Sequence, residues 1–372
     1  MAEASHDTDR DVARTAPRSG RRWPQWAGYA AAGWSVAYGL LGLYWALGGT
    51  GFPFGENDPD AELSILEGVG VEAGAPVIAG LGLFGAAVAV AMARVRGRGA
   101  LRISLLVFAW GVAVSLALVI PDYRVLVAVA YAPIFLFGAP FGWPPASFLQ
   151  VVPWPVINQF LCIGGGLLWA ATAVAYGRRT REACGNCGRT DSANGWTAPR
   201  SAARWGRWAV WVAVIVPVLY AITRWAWALG IPLGISDEFL REGQKIGLWW
   251  AGAALATIAV GGAVLTLGLV SRWGEVFPRW IPLIGGKRVP IWLAVVPASL
   301  VSVLVTTAGL MFVRLTLTGE LGAILGEGVL GGENWATLAP ELLWPLWGAA
   351  LAAATLAYYY RRRERCEHCK RS

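Results

Sequence analysis

Charge-poor apolar stretches long enough to cross a hydrocarbon core of about 30 Å, which takes about 20 helical residues, occur at 26–48, 74–94, 101–120 and 157–177. A second set follows at 207–229, 246–270, 290–313 and 340–360. The pattern predicts eight membrane helices in two groups of four. One stretch breaks the regularity. The apolar part of Arg124–Trp143, Val125–Phe137, is short for a span, and a proline-rich segment, Pro140–Pro155, follows it. Its counterpart in the second group, Leu315–Ala339, is glycine-rich and mildly acidic. The expectation is a re-entrant or interfacial segment on the outer face, because a ninth helix would reverse the second group.

The two groups are copies. Trp23, Trp26, Ala27, Tyr38 and Trp45-Ala46-Leu47-Gly48 return as Trp205, Trp208, Ala209, Tyr220 and Trp227-Ala228-Leu229-Gly230, displaced by the same 182 positions. Tyr176, Arg179, Arg181, Glu182, Cys184 and Cys187 return as Tyr358, Arg361, Arg363, Glu364, Cys366 and Cys369. The fold class expected is an all-α integral membrane protein of two tandem parallel four-helix repeats, 23–187 and 204–369. A polar tail, 1–22, precedes them, and a linker, 188–203, joins them. The tail has no apolar run or small-residue cleavage pattern and reads as disordered.

Charge fixes an orientation. Arg94, Arg96, Arg98 and Arg102 follow the second span; Arg178, Arg179, Arg181, Arg189, Arg200, Arg204 and Arg207 join the halves; Arg272, Arg279, Lys287 and Arg288 follow the sixth. The alternate connections carry Glu56, Asp58, Asp60, Glu62, Glu67 and Glu72, and Glu320, Glu327 and Glu333. By the positive-inside rule, both ends and the linker face the cytoplasm. An even number of spans per copy then puts a pseudo-two-fold axis along the membrane normal.

Composition agrees with a bilayer: 56% of residues are hydrophobic and 15% charged, against about 25% charged in soluble domains. The net charge of +8 sits in Arg clusters flanking apolar runs, which is topology signal and not a nucleic-acid surface. Many of the 22 tryptophans fall at span ends, where indoles anchor at headgroups. The preference for Arg over Lys, with abundant Ala and Gly, points to a GC-rich bacterium and its inner membrane.

The sharpest chemistry is Cys184-Gly185-Asn186-Cys187-Gly188 with Cys366-Glu367-His368-Cys369. Two Cys-x-x-Cys pairs supply the four thiolates of a tetrahedral structural Zn²⁺ site, with His368 as a substitute ligand. A redox or regulatory dithiol pair and unliganded cysteines remain open alternatives. A shared metal would bring the fourth and eighth spans close to the axis. Cys162, within a span, reads as a small buried hydrophobe.

The expectation is that no Asp, Glu or His lies inside any span; the two His are His6 in the tail and His368 in the knuckle. Proton relays, carboxylate sodium sites and bis-histidine haem ligation need such residues at membrane depth, so a pump, a cation-coupled transporter or a cytochrome is disfavoured. So is acid–base catalysis within the bilayer. Arg224 is the clear ionisable group inside a span. Beside Trp225 and Trp227 it reads as snorkelling to the outer interface; a contact to an anion or headgroup is the functional reading. The 56–72 acidic loop reads as a solvated outer face. Gly164-Gly165-Gly166 and Gly261-Gly262 would permit close helix approach. The loop Arg272–Pro282, alternating Arg and Trp, reads as held at the headgroups, with docking of a protein partner at the cytoplasmic face as the sharper alternative.

The run Leu41-Gly42-Leu43-Tyr44-Trp45-Ala46-Leu47-Gly48-Gly49 resembles the opening helix of a family of small four-span bacterial membrane proteins of unknown function. The family carries a His two residues before the Tyr-Trp-Ala-Leu-Gly-Gly run; here Gly42 and, in the second copy, Arg224 occupy that place. The resemblance covers one helix of each half and implies a four-helix unit and no activity. The reading that follows is a non-enzymatic membrane scaffold or regulatory partner clamped by zinc, with a membrane enzyme left open only if catalytic residues sit in the outer loops. Its alternative is a permease for a small apolar or anionic solute between the repeats.

Overall fold

A computed structural model describes residues 23–141, 152–185, 187–189, 195–322, 332–363, 366 and 369. Among these the chain is all-helical, with one isolated β-bridge, Val276 to Arg288, and no strand. The helices are α1 (Trp23–Ala46), α2 (Val71–Arg94), α3 (Gly99–Val114), α4 (Arg124–Gly138), α5 (Trp154–Thr180), α6 (Pro199–Ala228), α7 (Asp237–Lys245), α8 (Leu248–Leu267), α9 (Ile291–Thr318) and α10 (Trp344–Arg362). Among the described residues seven helices are long and apolar enough to cross a membrane: α2, α3 with the turn that continues it, α5, α6, α8, α9, and α10 with the turn before it. The chain thus has the make-up of an α-helical membrane protein. The expected first span, α1, has 24 residues and no charge, but its glycine, tyrosine and tryptophan lower its average apolarity beneath that of the seven.

Local chemistry sets the helix ends. Prolines occupy the first turns of α5, α6 and α10, where the missing N–H would have had no partner. Arg178 and Arg179 close α5, and Arg361 and Arg362 close α10, where cations meet the negative end of the helix dipole. The 15 residues of α4 reach only about 22 Å at 1.5 Å per residue, too short to span alone, as its apolar length foretold. The tail 1–22, residues 142–151 and His368 lie outside the described residues.

Each half uses one neighbour scheme. In the first, α1 packs on α2 and α5, and α3 packs on α5; in the second, α6 packs on α8 and α10, and α9 packs on α10. Positions 182 apart do equivalent work. Trp45 and Trp227 are each 2% exposed and Tyr176 and Tyr358 are wholly buried. Arg179 caps the α2 carbonyls of Met92, Ala93 and Val95, and Arg361 donates to the carbonyl of Leu269 just beyond α8. Trp169 and Trp249 join Trp45 and Trp227 in the interior. The expectation of tryptophans as interface anchors is therefore corrected for these four: their indoles fill helix-packing space and find hydrogen-bond or ring partners.

Glycine permits the tightest contacts. A Cβ on Gly42 would lie 2.7 Å from the Ala79 nitrogen, one on Gly82 2.5 Å from Gly39 Cα, and one on Gly166 2.8 Å from the Ala113 oxygen. Gly261 and Gly262 face open space, so close approach there is not borne out.

The halves meet chiefly through α9, which packs against α4 and the π-helical turn Ser115–Val119 that ends α3. Val125, Ile163 and Leu304 form one apolar contact, and Leu63, Met311, Leu315 and Leu321 another. The principal contacts between the halves come from α9, and a contact of α5 with α10 does not figure among them. The knuckles beyond α5 and α10 converge through the residues that follow each helix.

Candidate metal centre

The sulfurs of Cys184, Cys187, Cys366 and Cys369 all lie within 4.8 Å of one another. Cys184 Sγ is 3.9 Å from Cys366 Sγ, and Cys187 Sγ is 3.6 Å from Cys369 Sγ. These separations far exceed a bonded S–S length, and none of the four cysteines is in a disulfide. They match a different figure. Four sulfurs about 2.3 Å from a central zinc stand about 3.8 Å apart along the edges of the tetrahedron. Each half contributes one pair.

The first knuckle is built by its own backbone. The Gly188 N–H donates to the Cys184 carbonyl at 2.7 Å, and the Cys184 N–H donates to the Arg189 carbonyl at 3.0 Å. This fold-back needs the left-handed Gly188, at φ 73°, a conformation that glycine adopts without penalty. Arg178 donates to the Gly185 carbonyl at 3.0 Å and stacks over Trp23, which ties the knuckle to the start of α1. Arg363 crosses to it from the second half, donating to Cys187 O at 3.1 Å and Thr197 O at 3.0 Å. Arg189 reciprocates by donating to the Arg363 carbonyl at 3.3 Å.

Burial pushes the Cys187 thiol up to about 12; the Arg189 backbone opposes the rise and the three other thiols add to it. Burial of Cys187 thus favours its neutral thiol. A divalent cation supplies the compensating charge, and a metal with four thiolates carries about two net negative charges, which Arg178, Arg189 and Arg363 would balance. The donor set is all sulfur, which suits zinc over magnesium or calcium.

Two other polar clusters lie at the opposite end of the helices. Arg124 bonds Asp58 at 2.7 and 2.8 Å and Asp122 at 2.7 to 3.1 Å, and Asp122 also accepts from Gln159 Nε2 at 2.6 Å. The side chains of Asp58 and Asp122 are 2% exposed. The reading of the acidic loop as a solvated face is thus corrected for Asp58, because Arg124 gives its carboxylate a buried partner. Arg224 is buried too. It pairs with Glu341, donates to Ala336 O at 3.1 Å and Thr337 O at 3.3 Å, and lies 4.5 and 4.4 Å from the Tyr220 and Trp227 rings. Neither snorkelling nor an open headgroup contact describes it. Glu341, in the turn before α10, is the partner that sequence reading passed over. Its place 182 positions earlier is Gln159, which holds Asp122 by the same logic. Cys162 is buried against Tyr38 and Asn158, as a small interior residue.

Comparison with family profiles, curated proteins and solved structures finds no match to this chain.

Proposed function

We propose that this protein is a non-enzymatic scaffold or regulatory partner in the inner membrane of a bacterium, its two halves clamped by a Cys₄ zinc centre. The architecture proposed is two tandem four-helix repeats, with α1 as the eighth span and both ends in the cytoplasm. The observation that carries the reading is the convergence of four thiols, two from each half, within 4.8 Å. On their own those thiols offer the halves only sulfur–sulfur contacts of 3.6 and 3.9 Å. With zinc they join groups 182 residues apart, and closing so long a loop stabilises the arrangement of the halves more than either half alone.

The contact between halves supports a scaffold over a permease. A solute pathway between the repeats calls for polar groups along it, whereas the contact is built mainly of Val125, Ile163, Leu304, Met311 and Leu315, with Arg314 occupied by the Leu63 carbonyl. The buried charges are spent on one another. The neighbour scheme common to both halves, and the matched tasks of Trp45 and Trp227 and of Arg179 and Arg361, support the repeat.

Zinc analysis of protein purified under reducing, chelator-free conditions tests the clamp. About one zinc per chain is expected. Cys366→Ser should lose it and loosen the halves while leaving membrane insertion intact. A zinc content near zero in the unaltered protein would sink the proposal.

A further inference from the structure

The second half carries an element that its topology does not require. In the first half, α2 ends at Arg94 and α3 begins at Gly99, so residues 95–98 complete the connection. The equivalent connection, from the end of α8 at Leu267 to the start of α9 at Ile291, is far longer and is built as a hairpin. Val276 pairs with Arg288; the Phe277 N–H donates to Lys287 O at 3.0 Å, the Gly286 N–H to Phe277 O at 2.9 Å, and the Val289 N–H to Glu275 O at 3.0 Å. Its base is fixed to the end of α10. Tyr358 donates to Gly274 O at 2.7 Å, Arg362 to Val289 O at 3.0 Å, and Arg361 pairs with Glu275 at 3.3 Å.

The rigid base holds up an apolar tip. Trp280 is 82% and Leu283 92% exposed, and Leu283 sits at φ 69°, a conformation that costs a branched residue about 1 kcal/mol or more. Folding alone gains nothing from displaying them. The flanks are basic: Arg272, Arg279 and Lys287 are exposed, and the nearby carboxylate, Glu275, is taken by Arg361.

We infer that this hairpin is a lipid-binding element whose tip enters the headgroup layer of the membrane, its basic flanks resting on anionic phospholipid. Three observations carry the assignment. The hairpin springs from the ends of two apolar helices, so it stands where hydrocarbon gives way to headgroups. The tip stays close to that base, because Trp280 and Leu283 lie only four and five residues from Val276 and Arg288 and the chain between them folds in turns, Ile281 N–H to Pro278 O and Gly285 N–H to Ile281 O. Its composition, indole and aliphatic groups between cations, matches an anionic interface, where each basic residue contributes about 1 kcal/mol. The inference rests on the chain being embedded in a bilayer and is independent of the metal.

The test places a nitroxide-bearing unnatural amino acid at position 283 in the full chain. The protein is reconstituted in nanodiscs of phosphatidylcholine alone or mixed with phosphatidylglycerol. Collision with oxygen, which partitions into lipid, and with a water-soluble nickel chelate gives the depth of the label. A shift toward oxygen accessibility in the anionic discs, lost in Arg279→Gln/Lys287→Gln, is the expected result. A label accessible to nickel in both compositions overturns the inference, as does equal depth in both, which would leave charge without a role. Zinc content measured on the same samples separates this outcome from failure of the clamp.

Discussion

At the scale of single residues, the two buried arginines decide most. Replacing Arg124 with Leu leaves Asp58 and Asp122 buried without a counter-charge, and breaking a buried pair in this way costs about 3–5 kcal/mol. Denaturant titration of Arg124→Leu in mild detergent should show a loss of that size. A change below about 1 kcal/mol, the usual worth of an exposed pair, would mean that water reaches the carboxylates. Asp58 was legible as a charge between apolar runs and Arg224 as a charge within one, Glu341 was not, and neither were the pairs they form. Asp58 and Arg124 are 66 positions apart and Arg224 and Glu341 are 117 apart. A single sequence shows a charge and its depth, and only the fold supplies its partner. The thiols were the opposite case, since Cys-x-x-Cys spacing carries its own geometry.

At the scale of helices, apolar length located the spans because a hydrocarbon core admits few other solutions. Their margins moved where polar residues continue a helix: α6 begins at Pro199, ahead of the apolar run from 207, and α9 runs on to Thr318, past the 313 expected. The short helix α7 was not expected from apolar length, being polar; its signals are local, for Ser236 caps it by accepting from the Phe239 N–H at 3.3 Å and Asp237 and Glu238 fill its first turn. Glycine spacing in α1 proved structural. With Ala79 backbone 2.7 Å from where a Gly42 Cβ would stand, Gly42→Leu should force α1 and α2 apart and destabilise the first half by at least about 1–3 kcal/mol, read as a fall in the detergent melting temperature. A variant that melts with the parent would show that the pair adjusts freely. In the second half the same position holds Arg224, and α8 leaves room for it: even a Cβ built on Gly252 would stand 3.8 Å from the arginine Cδ, an ordinary van der Waals contact.

At the scale of the whole molecule, the halves are tied at both ends. The thiols and the Arg189–Arg363 exchange hold one end, and at the other Arg314 of α9 donates to Leu63 O at 2.8 Å while Leu63 packs against Met311 and Leu315. The orientation proposed from charge assigns the thiol end to the cytoplasm. Single cysteines introduced near Arg200 should stay unlabelled by an impermeant reagent in intact cells, and those near Glu56 should react; the reverse pattern would invert the molecule.

One more consequence follows from two ligands per half. With zinc bound, the peptide between Arg189 and Pro199 is no longer what keeps the halves together, for four metal–sulfur bonds already do so at the same end. A protease cut in that stretch would leave a single particle that migrates as the intact chain, until a chelator removes the metal and leaves cohesion to α9, Leu63 and the Arg189–Arg363 exchange. Covalent continuity would then serve synthesis, delivering both halves in equal number, and the metal would serve endurance.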